Sequence, residues 1–154
     1  MTLAPNTARR AWLATLAHAP RAELLGLSDD AVGQHLFETL REPEVGLTMV
    51  RARIDATGDR FNLGEATLTR CVVRLRQGVP TPSVGIGYCL GRDAPRARRV
   101  AELDAMLQQP LLHDAIQHGI LQPLLAEVGA RRRAEAARTA ATKVDFYTLQ
   151  PERA

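Results

Sequence analysis

The sequence predicts an α+β fold, in which an antiparallel sheet of about four to six strands follows an N-terminal helical layer and precedes C-terminal helices. Apolar residues recur at helical spacing in the first and last parts of the chain, whereas the middle alternates and is rich in β-branched residues. Short connections between the strand-like segments indicate an antiparallel meander. We predict one domain of residues 1–154, divided into a helical part (1–43), the sheet (44–92) and helices with a strand-like tail (93–154).

Three helices are predicted in the N-terminal part. The first covers about residues 6–17 and places Trp12 and Leu16 one turn apart on its apolar face. The second covers residues 20–26 and ends near a glycine, and the third starts with the caps Ser28, Asp29 and Asp30 and ends at Glu42–Pro43. The apolar positions of the third helix are Val32, Leu36 and Leu40.

Four strands are predicted in the middle of the chain. Residues 44–54 form the first, and the tight-turn signal Ala56–Asp59 leads to a short second strand over residues 60–63. Gly64 permits a bulge before the third strand, residues 65–76, and residues 84–92 form the fourth. The third strand alternates, with Ala66, Leu68, Arg70, Val72, Arg74 and Arg76 on one face and Thr67, Thr69, Cys71, Val73 and Leu75 on the other.

The C-terminal part is predicted to be helical except for its tail. Asp93 and Pro95 start a helix to about residue 108, in which Ala97 and Ala101 allow close approach to the sheet. A short helix from Pro110 ends at Gly119, residues 120–125 are a short strand or extended link, and residues 126–142 are helical. The tail KVDFYTL is apolar and is expected to dock on the sheet or on a partner. Its interface candidates are Val144, Phe146, Tyr147 and Leu149.

The motifs argue against an independent catalytic or metal centre. The spacing GxGxxxG over residues 85–91 differs from the dinucleotide-binding GxGxxG, so these glycines more simply permit close backbone packing. Cys71 and Cys89 have no CxxC partner and are expected to be reduced, buried small side chains. His113 and His118 are five residues apart and diverge on a helix, so we predict no catalytic residue, no metal and no bound cofactor.

Arginines dominate the positive charge of the chain, whose formal net charge is +3. A guanidinium group binds phosphate or carboxylate through two parallel hydrogen bonds. The anion-binding or interface candidates are Arg60, Arg70, Arg74 and Arg76. A solvated face with paired salt bridges explains the same pattern. Aromatic residues make up only 4% of the chain, which argues against a nucleic-acid platform.

No apolar run approaches the ~20 residues of a membrane helix. The N-terminal stretch has helical periodicity and lacks the continuous apolar core of a signal peptide. We therefore expect a cytoplasmic protein that does not contact a membrane.

Four segments together resemble the G-subunit family of the bacterial carbon–phosphorus lyase system. They are TGDRFNLGEATLTRCVVRL, GYCLGRD, AELDAMLQQ and the closing KVDFYTL, and the resemblance extends over nearly the whole chain. The resemblance implies that the chain is a subunit of a core complex whose other members are the H, I and J subunits. The I subunit is expected to be in direct contact with it, and an ATPase-like L subunit is expected to be linked to it functionally. That assembly forms ribose 1-phosphonate 5-triphosphate from ATP and a phosphonate and releases adenine. ATP is then a substrate of the complex. The resemblance assigns no catalytic residue to any position of this sequence.

Three functions stay open at this point. The first is an accessory subunit of the phosphonate complex, not catalytic alone, which we favour. The second is an independent enzyme or phosphate-binding protein that uses Arg60, Arg70 or Arg74 for an anionic small molecule. The third is a nucleic-acid binder, which would require a salt-dependent affinity for RNA or DNA.

Overall fold

In the computed structural model, which describes residues 6–54, 58–76 and 81–144, two helices precede a three-stranded antiparallel sheet and further helices follow it. The predicted α+β class is confirmed, with three strands in the described sheet instead of four to six. The elements are helices α1 (Asn6–His18) and α2 (Arg21–Gly33), strands β1 (Phe37–Arg53), β2 (Arg60–Leu75) and β3 (Ser83–Leu90), and helices α3 (Ala94–Leu107), α4 (Pro110–Ile116) and α5 (Gln122–Ala141), with a π-helical turn (Gln117–Leu121) between the last two.

Helix α2 is continuous, and the expected break at Gly26 with a new N-cap at Ser28 is therefore wrong. Leu24, Ser28 and Val32 are all buried and lie four residues apart, so they form one inner face of a single helix. The Ser28 hydroxyl donates to the carbonyl oxygen of Leu24 at 2.6 Å. A serine whose hydroxyl is bound to the preceding turn is accommodated inside a helix without capping a new one.

Strand β1 begins at Phe37, so the predicted third helix is wrong over its second half. Phe37 pairs with Leu75 of β2 and packs against the core. Leu36 and Leu40, which the helical pattern placed on a buried stripe, are 64% and 42% exposed. Pairing with a neighbouring strand has overridden the local helical periodicity, because cross-strand contacts are absent from any single-segment pattern.

Strands β1 and β2 form the predicted hairpin. Residues 60–63 and 65–75 are one strand, because the register shift between Val50 and Arg51 is absorbed near Gly64 without ending the pairing. Gly64 has a backbone φ of +152°, as a bulge at a glycine allows. Merging these two segments reduces the predicted four strands to three. Of the expected turn, residues 55–57 lie outside the described ranges.

Helix α3 lies directly on the inner face of the sheet, and Asp93 caps it by accepting from the backbone N–H of Arg96 at 3.1 Å. A Cβ atom at Gly85 would lie 1.9 Å from the carbonyl oxygen of Ala101, and one at Gly87 would lie 1.9 Å from that of Ala97. The predicted close approach is thus confirmed at these two glycines. It is wrong for Gly91, which ends β3 at a φ of +92° and has nothing within 4 Å of a built Cβ.

The chain from residue 110 to residue 141 stays helical, so the expected helix end at Gly119 and the extended link over residues 120–125 are both wrong. Gly119 lies inside the π-helical turn, and Pro123 falls in the first turn of α5, where its missing N–H is tolerated. The helix predicted for residues 126–142 is confirmed as part of α5. The extra residue of the turn keeps apolar side chains on the inner face, where Ile116, Ile120, Leu121, Leu124 and Val128 are buried.

A buried carboxylate joins α1, α3 and β3. Asp104 of α3 has a fully buried side chain and accepts from Arg9 Nη2 at 2.7 Å and from Trp12 Nε1 at 2.9 Å. It also accepts from the backbone N–H of Ile86 at 2.9 Å. The predicted inward face of α1 is confirmed, since Trp12 and Leu16 are buried. Asp104 therefore accepts hydrogen bonds from donors of α1 and β3. Without it, buried donors of these two elements would lack a partner.

Both cysteines lie on the inner face of the sheet. Cys71 and Cys89 are free and buried, as predicted. Burial raises the pKa of each thiol, because the low-dielectric core disfavours the thiolate. The unfolded chain therefore loses these protons at a lower pH than the folded chain does.

We expect the free energy of unfolding to decrease as the pH rises above about 8.5, the usual thiol pKa. Each thiol has a higher pKa in the folded chain than in the unfolded chain. The resulting stabilisation is fully present below the pKa of the unfolded chain and is lost as the pH rises through the pKa of the folded chain. Urea unfolding at pH 7 and pH 9.5, compared with the Cys71→Ala/Cys89→Ala variant, measures the effect. An equal pH dependence in both proteins would contradict it.

Candidate functional site

The outer face of the sheet, which points away from α3, carries three of the four predicted arginines. Arg70 contacts Glu44 of β1, with 2.5 Å between its Nε and Oε1 of the glutamate. Arg74 and Arg76 both contact Oε2 of Glu38, at 3.2 Å and 2.9 Å. The predicted alternation of β2 is therefore correct, and each of these arginines meets a carboxylate of the neighbouring strand.

Glu44 also accepts from Arg41 at 2.9 Å. The hydrogen bond from Arg70, with the positive charges of Arg70 and Arg41, holds the pKa of Glu44 below its usual value. Four guanidinium groups thus share two carboxylates, and the cluster keeps an excess of positive charge. Because its members are at least one third exposed, we expect each pair to contribute little to stability.

Arg60 does not belong to this cluster. It starts β2, where it faces Arg53 of β1, and the ten residues between it and Arg70 correspond to roughly 30 Å along the strand. The four sequence-predicted arginines therefore form two separate features. Anion binding by either of them stays a prediction.

Apolar side chains lie between the charges on the outer face of the sheet. Leu68, Val72 and Ile86 are partly buried there, whereas Tyr88 and Leu90 of β3 are 45% and 61% exposed. Helix α3 packs on the opposite face, against Gly85 and Gly87. An uncovered apolar stripe bordered by ion pairs has the composition of a protein-contact surface.

The part of the hairpin that extends beyond β3 also exposes apolar side chains, which are not confined to the outer face. Leu47 and Met49 of β1 are 65% and 49% exposed, and Phe61 and Leu63 of β2 are 42% and 64% exposed. The sequence pattern predicted a strand here but gave no sign that its apolar side chains would stay uncovered. Because β3 pairs with β2 only from Leu68 onward, this part of the hairpin is a two-stranded ribbon.

The C-terminal interface candidates are only partly within the described residues. Val144 is 68% exposed, and Phe146, Tyr147 and Leu149 lie outside the described ranges. The helix that leads to them is also uncovered, since every residue from 130 to 141 is exposed. Docking of the tail stays a prediction.

His113 lies beside an apolar groove between α1 and the C-terminal helices. His113 contacts the edge of Trp12, with ring centroids 5.8 Å apart, and its Nδ1 lies 2.7 Å from the carbonyl oxygen of Leu107. A groove of about 370 Å³ beside this pair is lined mainly by apolar residues of α1 and the C-terminal helices. Residues 6–54, 58–76 and 81–144 contain no group of three or more His, Cys, Asp or Glu that could hold a metal ion.

None of the helices described combines the length and the apolar character that crossing a bilayer requires. The geometry instead defines a small α+β protein with an extended, partly apolar sheet surface. The chain belongs to the family of phosphonate metabolism protein PhnG, whose model matches residues 7–151. The resemblance seen in the sequence is thereby confirmed.

Two relatives carry informative names. Over 142 residues, the chain is 42% identical to the alpha-D-ribose 1-methylphosphonate 5-triphosphate synthase subunit PhnG of Rhizobium meliloti (strain 1021), a match that covers 92% of this chain and 87% of the relative. It is 31% identical over 109 residues to the putative C-P lyase subunit protein HtxH of Stutzerimonas stutzeri, which covers 66% of this chain and 29% of that protein.

Proposed function

We propose that this chain is an accessory subunit of the carbon–phosphorus lyase core complex in phosphonate catabolism. The observation that carries the proposal is the 42% identity, over 92% of the chain, to a protein named as a synthase subunit. The uncovered apolar surface of the sheet supports it, because such a surface fits a protein that works in contact with other chains.

The reaction assigned to the assembly transfers a ribosyl group. The bond between C1′ of the ATP ribose and adenine breaks, and a bond forms between C1′ and an oxygen of the alkylphosphonate. Adenine leaves with the bonding electron pair and takes up a proton, and the product is ribose 1-phosphonate 5-triphosphate. We assign binding of ATP to the other subunits, and we place the assembly in the cytoplasm, where ATP is available.

The partners in this proposal are the H, I and J subunits, with the I subunit in direct contact and the ATPase-like L subunit linked functionally. The contribution of this chain is to hold a partner in its active arrangement. The excess positive charge of the cluster around Glu38 and Glu44 favours an alternative role, in which the cluster faces the triphosphate or the phosphonate across a subunit boundary.

Co-expression of the tagged chain with the H, I, J and L subunits tests the proposal. We expect a stable complex that releases adenine from ATP in the presence of methylphosphonate. The variants Arg60→Ala, Arg70→Ala and Arg74→Ala should each assemble and retain adenine release within about fivefold, because an accessory subunit does not contact the substrates. Native mass spectrometry measures assembly and chromatography measures adenine.

A stable isolated chain with no affinity for the co-expressed subunits would contradict the accessory role. An arginine variant that assembles normally but loses more than about tenfold in adenine release would assign that arginine to the anion site instead. Arg131→Ala is a matched control, because Arg131 is an exposed arginine of α5 outside the sheet.

A further inference from the structure

The hairpin extends well beyond the three-stranded part of the sheet. We call residues 47–53 of β1 and residues 60–67 of β2 the hairpin arm. The pairing of β3 stops at Leu68, which faces Leu90, whereas β1 and β2 stay paired to the end of both strands. The arm is roughly 20–25 Å long at the usual rise of a strand. None of its residues is buried.

The arm exposes large apolar side chains that a free ribbon does not favour. Leu47 and Leu63 are 65% and 64% exposed, and Met49 and Phe61 are nearly half exposed. A two-stranded ribbon is marginally stable in water without a surface to pack against. Its exposed apolar residues therefore indicate contact with another apolar surface.

The tip of the arm is basic. Arg53 faces Arg60 directly across the two strands, and Arg51 follows on the same arm. The sequence places two carboxylates at this end, Asp59 among the described residues and Asp55 between the two strands, against three arginines. Like charges opposite each other on paired strands repel, so carboxylates from elsewhere would stabilise this end.

A second copy of this chain matches the charge poorly. Two arms lying tip to tip would bring Arg53 and Arg60 of both copies together. Two arms lying tip to base would bring the tip of each to the outer-face cluster of the other, where four arginines share two glutamates. Both arrangements oppose positive charges, whereas a different chain with acidic residues does not.

The arm supplies a large part of the area of one side of a protein interface. The two faces of the arm present on the order of 500 Å² at the usual strand spacing and rise. A standard protein interface buries about 800 Å² on each side. The neighbouring Tyr88 and Leu90, exposed on the outer face of the sheet, supply further apolar area next to the arm.

We propose that the hairpin arm docks into an apolar cleft of another subunit, whose rim carries carboxylates where it meets Arg51, Arg53 and Arg60. This inference rests on the proposed function, because the partner is a chain of the same complex. The apolar faces supply the buried area of the interface. The basic tip supplies orientation and partner selection.

The test uses the full-length tagged chain co-expressed with the H, I and J subunits. We expect Leu47→Glu/Leu63→Glu to reduce the recovery of those subunits at least tenfold. The control is Leu111→Glu on α4, because Leu111 is a leucine of similar exposure, 73%, outside the sheet. It should recover the subunits as the unchanged chain does. Thermal unfolding of each isolated chain checks that both variants fold.

A second variant addresses the tip. Arg51→Glu/Arg53→Glu/Arg60→Glu should slow association, and the difference from the unchanged chain should shrink as salt rises from 50 to 500 mM. The control Arg131→Glu/Arg132→Glu/Arg133→Glu changes the same amount of charge on α5. It should slow association less than the tip variant does.

The outcomes separate this inference from the proposed function. If the unchanged chain recovers no subunit, the proposed function fails. If it recovers them and the arm variants do so equally well, the arm inference alone is overturned. It is also overturned if the arm variants only abolish a homodimer measured by light scattering, or only abolish sedimentation with vesicles of phosphatidylcholine and phosphatidylserine.

Discussion

Replacing Asp104 by alanine is expected to lower the free energy of unfolding by about 3–5 kcal/mol. The carboxylate is fully buried and accepts hydrogen bonds from Arg9, Trp12 and the backbone of Ile86. Its removal leaves donors from α1 and β3 without a partner, and each such buried donor costs about 1–3 kcal/mol. Urea unfolding followed by circular dichroism measures the loss. Trp12 fluorescence reports whether α1 stays docked.

Asp29→Ala is the matched control for Asp104→Ala. Asp29 also pairs with an arginine of α3, at 2.8 Å from Arg99 Nη1, but its side chain is 65% exposed. An exposed ion pair of this kind contributes ~0–1 kcal/mol. Equal losses in the two variants would show that burial of Asp104 does not set its importance.

Replacing Gly85 or Gly87 by alanine is expected to destabilise the chain by about 3 kcal/mol or more, beyond the usual cost of overpacking. A Cβ atom at Gly85 would also lie 2.5 Å from the backbone N of Ala105. These are backbone atoms of α3, so no side-chain rotation relieves the contact, and the helix must move away from the sheet. Thermal and urea unfolding of both variants measure the effect.

Gly46→Ala provides the comparison within the same sheet. Gly46 lies in β1 with nothing within 4 Å of a built Cβ. Its replacement should be neutral or stabilising by up to ~1 kcal/mol, because alanine reduces the freedom of the unfolded chain. A loss at Gly46 as large as that at Gly85 would mean that contact with α3 is not the cause.

Several local features were predictable because neighbouring residues specify them. The alternation of residues 65–75 separates buried Cys71 and Val73 from Arg70 and Arg74, and the structure keeps that separation. The N-cap of α3 is equally local, since Asp93 accepts from an N–H three residues later. Each pattern lies within a few residues of the chain and needs no distant partner.

The N-terminal end of β1 was not predictable in the same way. Residues 37–43 carry apolar side chains at helical spacing, yet their backbone groups pair with β2, more than thirty residues away. The same misassignment hid the partners of the predicted arginines. Glu38 lies in the segment predicted as helix, and only its position on β1 brings it to Arg74 and Arg76.

The periodicity of the sequence also does not predict which apolar side chains of the hairpin are exposed. The pattern of β1 and β2 shows which side chains share a face, but it does not show whether another element packs on that face. Leu47 and Leu63 remain exposed in the part of the hairpin beyond the pairing of β3. Whether a strand is covered depends on residues distant in sequence, which a local pattern does not contain.

Short-range patterns in the sequence thus specify the α+β class, the hairpin, the alternating faces of β2 and the capped helix after β3. The sequence motifs also specify the family. The tertiary structure decides the start of β1, the continuity of the C-terminal helices, the pairing of the arginines with Glu38 and Glu44, and the uncovered arm. The physical reason is the range of the interactions. Caps, turns and side-chain alternation act within a few residues, whereas strand pairing and burial depend on residues distant in sequence.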